Sequence, residues 1–201
     1  MPLVVIAMEA EAAPVRKELN LTGEGNLLAE GISARLWSNE SVHVVINGSD
    51  SRFGVDAIGT LPASLTTLLA IEKTNPKIVI SAGTCGGFTA RDGFIGEIIL
   101  AKRCVFHDRR IPLKGFMNYG VGDFRVADLD EIAERLGFRM GTVSTGDSLD
   151  SQPSDLDFMN SVTAVAKDME AAAVAWVCAL KEVPFTALKV TTDLVDGEIT
   201  T

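Results

Sequence analysis

Short apolar runs closed by polar or glycine-rich residues recur along this chain, with amphipathic stretches between them. Runs of this kind read as buried strands, and longer stretches with helical spacing read as helices. On that rule residues 2–8 form a strand and 11–19 a short helix, with Pro14 tolerated in its first turn. Residues 33–38 and 42–47 follow as consecutive strands. Val42, Val44 and Ile46 alternate imperfectly with His43, Val45 and Asn47, which suits a sheet covered on both faces. A long helix runs from the late fifties to Thr74, and Pro62 either sets its start near Leu61 or kinks it. Residues 78–82 are a continuous apolar strand entering Gly83-Thr84-Cys85-Gly86-Gly87, and 97–106 give another strand or strand pair. Residues 107–122, rich in Arg, Pro and Gly, read as loop. Then come a helix at 128–136, a strand at 139–144, a helix at 154–160, a strand at 163–166, a helix at 169–181 and a last strand at 185–192. Strands and helices alternate without a linker, repeat or low-complexity segment, so one layered α/β domain over residues 1–201 is expected.

Composition narrows the function. The chain has 201 residues, 47% hydrophobic and 22% charged, enough for one domain with a sizeable core. A formal net charge of -9 repels phosphate backbones and argues against a nucleic-acid partner. Cys85, Cys104 and Cys178 are too few and too scattered for a disulfide framework and read as reduced thiols of a cytoplasmic protein. No CxxC or HExxH occurs, and His43 and His107 are the only histidines, so no metal site is expected. The N-terminal apolar run is short, meets Glu9 and Glu11, and lacks the positive flank of a secretory signal. No apolar run approaches the ~20 residues that span a membrane.

Three acids close strands or open the helices after them. Glu11 follows Leu3-Val4-Val5-Ile6-Ala7-Met8. Glu170 lies between Lys167-Asp168-Met169 and an alanine-rich stretch. Asp193 ends the run from Phe185 to Thr192. Open α/β sheets bind ligands at the carboxyl ends of their strands, so three such acids suggest one site. Carboxylates in one crevice can hold different protonation states, as acid–base bond cleavage requires. Each feature also has a plainer reading. Glu170 suits the first turn of a helix, ionised by the helix end with Asp168 as cap. The 83–87 segment suits a tight strand-to-loop turn; it is neither GxGxxG nor a P-loop. Ser144-Thr145-Gly146-Asp147-Ser148-Leu149-Asp150 could contact a polar ligand or form an Asx turn. His107-Asp108-Arg109-Arg110 reads as a structural loop with ion pairing, since no GxSxG elbow accompanies it.

Taken together the segments are far more specific. Ala7-Met8-Glu9-Ala10-Glu11, SAGTCGG (81–87), VFHDRRIP (105–112), STGDSLD (144–150), Lys167-Asp168-Met169-Glu170 and TTDLVDG (191–197) occur in this order. They resemble the 5′-methylthioadenosine/S-adenosylhomocysteine nucleosidases, and the HDRRIP, STGDSLD and KDME forms resemble the plant-type branch. The resemblance implies a three-layer α/β domain of nucleoside phosphorylase/hydrolase type, with a mixed, twisted central sheet flanked by helices. It implies a homodimer, a nucleoside substrate, no cofactor and no metal. It also implies roles. Glu11 would activate the attacking water and Asp193 would protonate the adenine. Met169 and Glu170 would bind the ribose. Thr84 and Gly86 would contact ribose and water, Leu149 would line the adenine pocket, and Lys167 and Lys189 would join the substrate-binding set, Lys189 standing where the bacterial branch has an arginine. A raised Asp193 pKa, through burial, is part of this expectation. The loop around Phe116 is expected near the 5′-substituent. The family continues beyond Asp196-Gly197 into a final helix, and the given sequence ends at Thr201; an exposed site beside Asp193 is the expectation for such a chain.

Two rivals share the fold. A nucleoside phosphorylase would need cationic phosphate ligands, which Thr84-Cys85-Gly86 does not supply and Glu11 would oppose. A non-catalytic nucleoside-binding or storage protein would be favoured by loss of one acid, and all three are present.

Overall fold

The computed structural model describes residues 1–197. Strand β1 (Pro2–Ile6) leads into helix α1 (Glu9–Glu18), and β2 (Asn26–Leu27), β3 (Arg35–Ser38) and β4 (His43–Ile46) follow as an antiparallel meander. A small hairpin of β5 (Ser49–Asp50) and β6 (Val55–Asp56) precedes α2 (Thr60–Thr74). The long strands β7 (Ile78–Gly87) and β8 (Ile98–Phe106) come next, then α3 (Met117–Val121), β9 (Phe124–Arg125) and α4 (Asp130–Leu136). Strand β10 (Arg139–Thr145), α5 (Pro153–Ser161), β11 (Ala164–Asp168), α6 (Ala171–Leu180) and β12 (Phe185–Leu194) complete the described chain.

One mixed sheet carries the molecule, in the order β11-β10-β8-β12-β7-β1-β4-β3-β2, with β9 on β8. Strands β1, β4, β7 and β12 run parallel, whereas β12 and β8 are antiparallel. All four residues of β4 are buried, as strands covered on both faces should be. Helix α6 buries seven of its residues, and its run of alanines lets it sit close against α2 and the sheet. Among the described residues no helix is long and apolar enough to cross a membrane.

Three features depart from the sequence reading. The glycine segment 83–87 is not a turn. Strand β7 continues through it, pairing on one side with β12 and on the other, antiparallel, with β11 (Ala166 opposite Gly87, Lys167 opposite Gly86). That extra pairing closes β7, β12, β8, β10 and β11 into a ring. The ring needs the missing side chain: a Cβ on Gly86 would lie 2.7 Å from Val195 Cγ2. Second, α1 starts at Glu9, which puts Pro14 in the helix interior. Its absent N–H leaves the Ala10 carbonyl without its helical partner, and both residues are exposed, so no polar group is buried unpaired there. Third, the stretch 107–122 contains α3, and four two-residue strands were too short to show a period.

Candidate active site

The carboxyl ends of β1, β7, β11 and β12 surround a cleft of about 610 Å3. Glu11, Glu170 and Asp193, separated by as much as 182 positions in the chain, all line it. Thr84, Gly86, Leu149, Lys167 and Met169 line it too. Lys189 does not, and among the described residues neither Phe116 nor any other part of 107–122 lines the cleft of its own chain.

Glu11 sits in the first turn of α1, directly after β1. Its Oε1 accepts from the Thr84 N–H at 2.7 Å and from the Thr84 hydroxyl at 2.7 Å. Two donors on one oxygen fix the carboxylate and leave Oε2 with only a long contact from the Met8 N–H at 3.4 Å.

Glu170 occupies the N-cap of α6, one place before the first turn expected for it. Asp168 does the capping, as its Oδ2 accepts from the Ala171 N–H at 2.8 Å. Glu170 instead points to the cleft and accepts from the Gly59 N–H at 3.0 Å. Burial pushes its pKa up to about 7, against the pull of Lys189 and with the push of Asp168. The expected ionisation by the helix end is therefore outweighed: desolvation of a nearly enclosed carboxyl is the larger effect.

Asp193 reaches the cleft through a register shift in β12. Pairing with β7 is regular up to Thr191 opposite Cys85, and then Asp193, not Thr192, falls opposite Gly86. Such a bulge re-aims the next side chain, here over a neighbour without one. Among the described residues Asp193 is exposed, held by the Thr192 hydroxyl at 3.2 Å.

The two lysines serve the site differently. Lys167 Nζ donates to the carbonyls of Ser148 at 2.9 Å and Leu149 at 2.5 Å, so it ties the 148–149 loop to the cleft floor. Burial lowers its pKa, and the carboxylates of Asp193 and Asp150 oppose that. Lys189 is 1% exposed and bonds Asp168 Oδ2 at 2.8 Å. It lies beneath the site, because its strand enters the ring between β7 and β8.

Residues 3–201 match the model of the phosphorylase superfamily. The chain is 41% identical to a 5′-methylthioadenosine nucleosidase of Arabidopsis thaliana, over 96% of this chain and 74% of that one. It is 36% identical to a 5′-methylthioadenosine/S-adenosylhomocysteine nucleosidase of the same plant, over 96% and 78%. The apo structure of the Arabidopsis thaliana 5′-methylthioadenosine nucleosidase superposes with a TM-score of 0.95 at 40% identity, covering 100% of this chain and 84% of that one. The chain belongs to the methylthioadenosine nucleosidase family.

One set of residues beside this nucleosidase-family cleft escaped the sequence reading. Asp147 accepts from both the N–H and the hydroxyl of Thr60, at 2.6 Å each, and so caps α2 from another part of the chain. Its own N–H is held by Asp108 Oδ2 at 2.7 Å. The adjacent Gly59 N–H is the one that meets Glu170. Asp147 within STGDSLD and Asp108 within HDRRIP were visible, but only as turn and loop acids; their meeting at α2 is a tertiary fact. The rest of HDRR is structural as expected: Arg110 pairs with Asp155, His107 Nδ1 meets Ser144 Oγ at 3.1 Å, and Arg109 lies over Phe106 and Tyr119.

Gly59 has φ +96°, and a Cβ there would lie 2.7 Å from Asp147 Oδ1. Gly59→Ala should therefore destabilise the fold by about 1–3 kcal/mol. It should also weaken nucleoside binding, because α2 must back away from both acids. Thermal unfolding and KM measured together check this. A variant with unchanged melting and unchanged KM would show that the α2 start is free to adjust.

Proposed function

We propose that the chain hydrolyses the N-glycosidic bond of 5′-methylthioadenosine, releasing adenine and 5-methylthioribose, a step of methionine salvage. The observation that carries this is the meeting of Glu11, Glu170 and Asp193 in one cleft of a chain in this family. Breaking the C1′–N bond leaves positive charge on the sugar and sends the bonding pair to the purine. Asp193 delivers a proton to the departing adenine, so the leaving group is neutral. Water adds to C1′ and gives a proton to Glu11, whose carboxylate Thr84 holds in place. Proton count closes when Glu11 and Asp193 exchange with solvent. Glu170, with Met169 beside it, accepts hydrogen bonds from the ribose hydroxyls and stabilises the cationic sugar. The phosphorylase alternative is disfavoured, since the cleft lysine spends its ammonium on two carbonyls while three acids would repel phosphate.

Ile58, Leu149, Leu156 and Val195 give the cleft apolar wall. A methylthio group gains about 0.8 kcal/mol per carbon-sized unit buried there. S-adenosylhomocysteine brings two charges that must be desolvated or partnered. Adenine release should therefore be at least about tenfold more efficient from 5′-methylthioadenosine. A coupled assay for adenine on both nucleosides tests the activity and the preference at once. No adenine from either overturns the activity, and equal efficiency overturns the preference.

The working form is a cytoplasmic homodimer. Leu61, Leu65 and Leu68 form one exposed stripe on α2, and Phe53, Val55 and Ile58 extend it toward the cleft. Apolar surface of this kind favours a partner face, here a second copy. Leu61→Asp should yield monomers in sedimentation where the parent sediments as a dimer; a monomeric parent would end this reading.

A further inference from the structure

Behind the cleft acids lies a charge that the bond-breaking steps do not use. Among the described residues Lys189 is the largest fully buried side chain. Its partner Asp168 is equally enclosed, and its carboxylate is saturated. Oδ1 accepts from the Thr145 hydroxyl at 2.6 Å, and Oδ2 accepts from the Ala171 N–H and from Lys189. Thr145 Oγ1 in turn accepts from the Ala172 N–H at 2.9 Å. The pair is thus built into the start of α6 from β10, β11 and β12, and neither member can swing away. Its bond to Asp168 uses one of the three ammonium hydrogens. The same Oδ2 takes a long contact from the Glu170 N–H at 3.4 Å, so one carboxylate oxygen links the ammonium to the Glu170 backbone, and Lys189 lies opposite Gly83, where a Cβ would stand 3.1 Å from Glu11 Oε1. Paired buried charges of this sort add little stability compared with apolar residues of the same size. Their retention beneath a working carboxylate calls for another role.

We propose that Lys189 is a positioning residue: its buried ammonium, locked by Asp168, supplies the fixed positive charge behind the ribose-facing carboxylate of Glu170 and so sets the lowest pH at which a nucleoside is held. This rests on the nucleosidase reading for the identity of the ligand. The charged groups around Glu170 are Lys189 and Asp193 on β12, Lys167 and Asp168 on β11, Glu11 on α1, and Asp150 in the segment after β10. Strand β7 offers it the neutral Thr84, and the start of α2 offers the Gly59 N–H with the exposed Asp147 alongside. Five of these neighbours are acids that disfavour an ionised Glu170, and Lys167 is engaged with the loop carbonyls. Lys189 is left as the cation that opposes them. Its removal should leave Glu170 protonated well into the neutral range, where it no longer accepts from both ribose hydroxyls.

The test follows Glu170 itself. Carbon-13 NMR of the glutamate carboxyl carbons, with the Glu170 signal identified by its loss in Glu170→Gln, gives its titration midpoint. Binding of the carbon-linked isostere of 5′-methylthioadenosine, which cannot be cleaved, gives affinity against pH. In Lys189→Gln the midpoint should rise by about one pH unit or more. The pH below which affinity falls should rise with it, and Lys189→Arg should restore both. If Lys189→Gln does not fold because Asp168 is left unpaired, the double variant Lys189→Met/Asp168→Asn has no lone buried charge, and its midpoint should still lie above the parent's. An unmoved midpoint in whichever variant folds, or a loss of turnover with an unmoved midpoint, overturns the proposal. Adenine release by the parent is a separate measurement. A parent that releases no adenine would overturn the activity and leave the Glu170 titration to be read by itself.

Discussion

Asp193→Asn should lower adenine release from 5′-methylthioadenosine by about 1,000-fold and leave nucleoside affinity within a few-fold of the parent. Loss of a general acid removes about 100- to 10,000-fold, and the substitution keeps the shape of the side chain. The backbone argument favours a clean result. Asp193 is aimed by the register shift in β12 and by the bare Gly86 opposite it, and neither depends on the carboxyl group. Among the described residues its side-chain partner is the Thr192 hydroxyl, which an amide oxygen can still accept from. Stability should therefore be unchanged. An amide cannot deliver a proton to the purine, so the loss should fall on kcat rather than KM. Turnover within a few-fold of the parent would remove Asp193 from the reaction, and a matching loss of affinity would make it a binding residue instead.

The same residue marks how far the sequence could be read. Apolar runs ending in Glu11, Glu170 and Asp193 were legible because strand exits in α/β sheets gather at one edge, and the three do meet. Strand β7 was misread at its end. Glycines usually close a strand, and here pairing with β12 on one side and the antiparallel approach of β11 to Gly86 and Gly87 on the other keep it extended. That approach also decides which lysine sees the cleft. Lys167 lies opposite Gly86 and lines it, whereas Lys189 lies opposite Gly83 and is buried between β7 and β8. No local pattern distinguishes the two, as each is a lone lysine in a β-branched run. Asp147 was hidden for a related reason: its partner Thr60 is 87 positions away, and an acid after a glycine reads locally as a turn.

Glu170→Gln should make the protein more stable and less active, and the stability gain should depend on pH. Burial outweighs the pull of Lys189, whose ammonium is shared with Asp168, so an ionised Glu170 is an incompletely compensated buried charge. Its folded pKa of about 7 lies above the ordinary 4.5. Between those values the folded protein keeps a proton that the unfolded chain has released, so stability falls as pH rises through the window. Below about pH 4.5 the carboxyl is neutral in both states and the penalty vanishes; above about pH 7 it is complete, on the order of 3 kcal/mol at most. Glutamine carries no charge and can still accept from the Gly59 N–H. Its melting temperature should exceed the parent's at pH 8 and match it near pH 4.5. Activity should move the other way. Replacing charge-assisted bonds to the ribose by neutral ones removes about 1.5–3 kcal/mol, roughly a 10- to 100-fold drop in kcat/KM, and a 2′-deoxy substrate should lose part of the same interaction. A carboxylate that only capped α6 would give the reverse pattern, with lower stability and intact turnover. Melting curves at two pH values and one activity measurement therefore separate a ribose-binding Glu170 from a helix cap, and a variant that handles both substrates as the parent does would leave it as the latter.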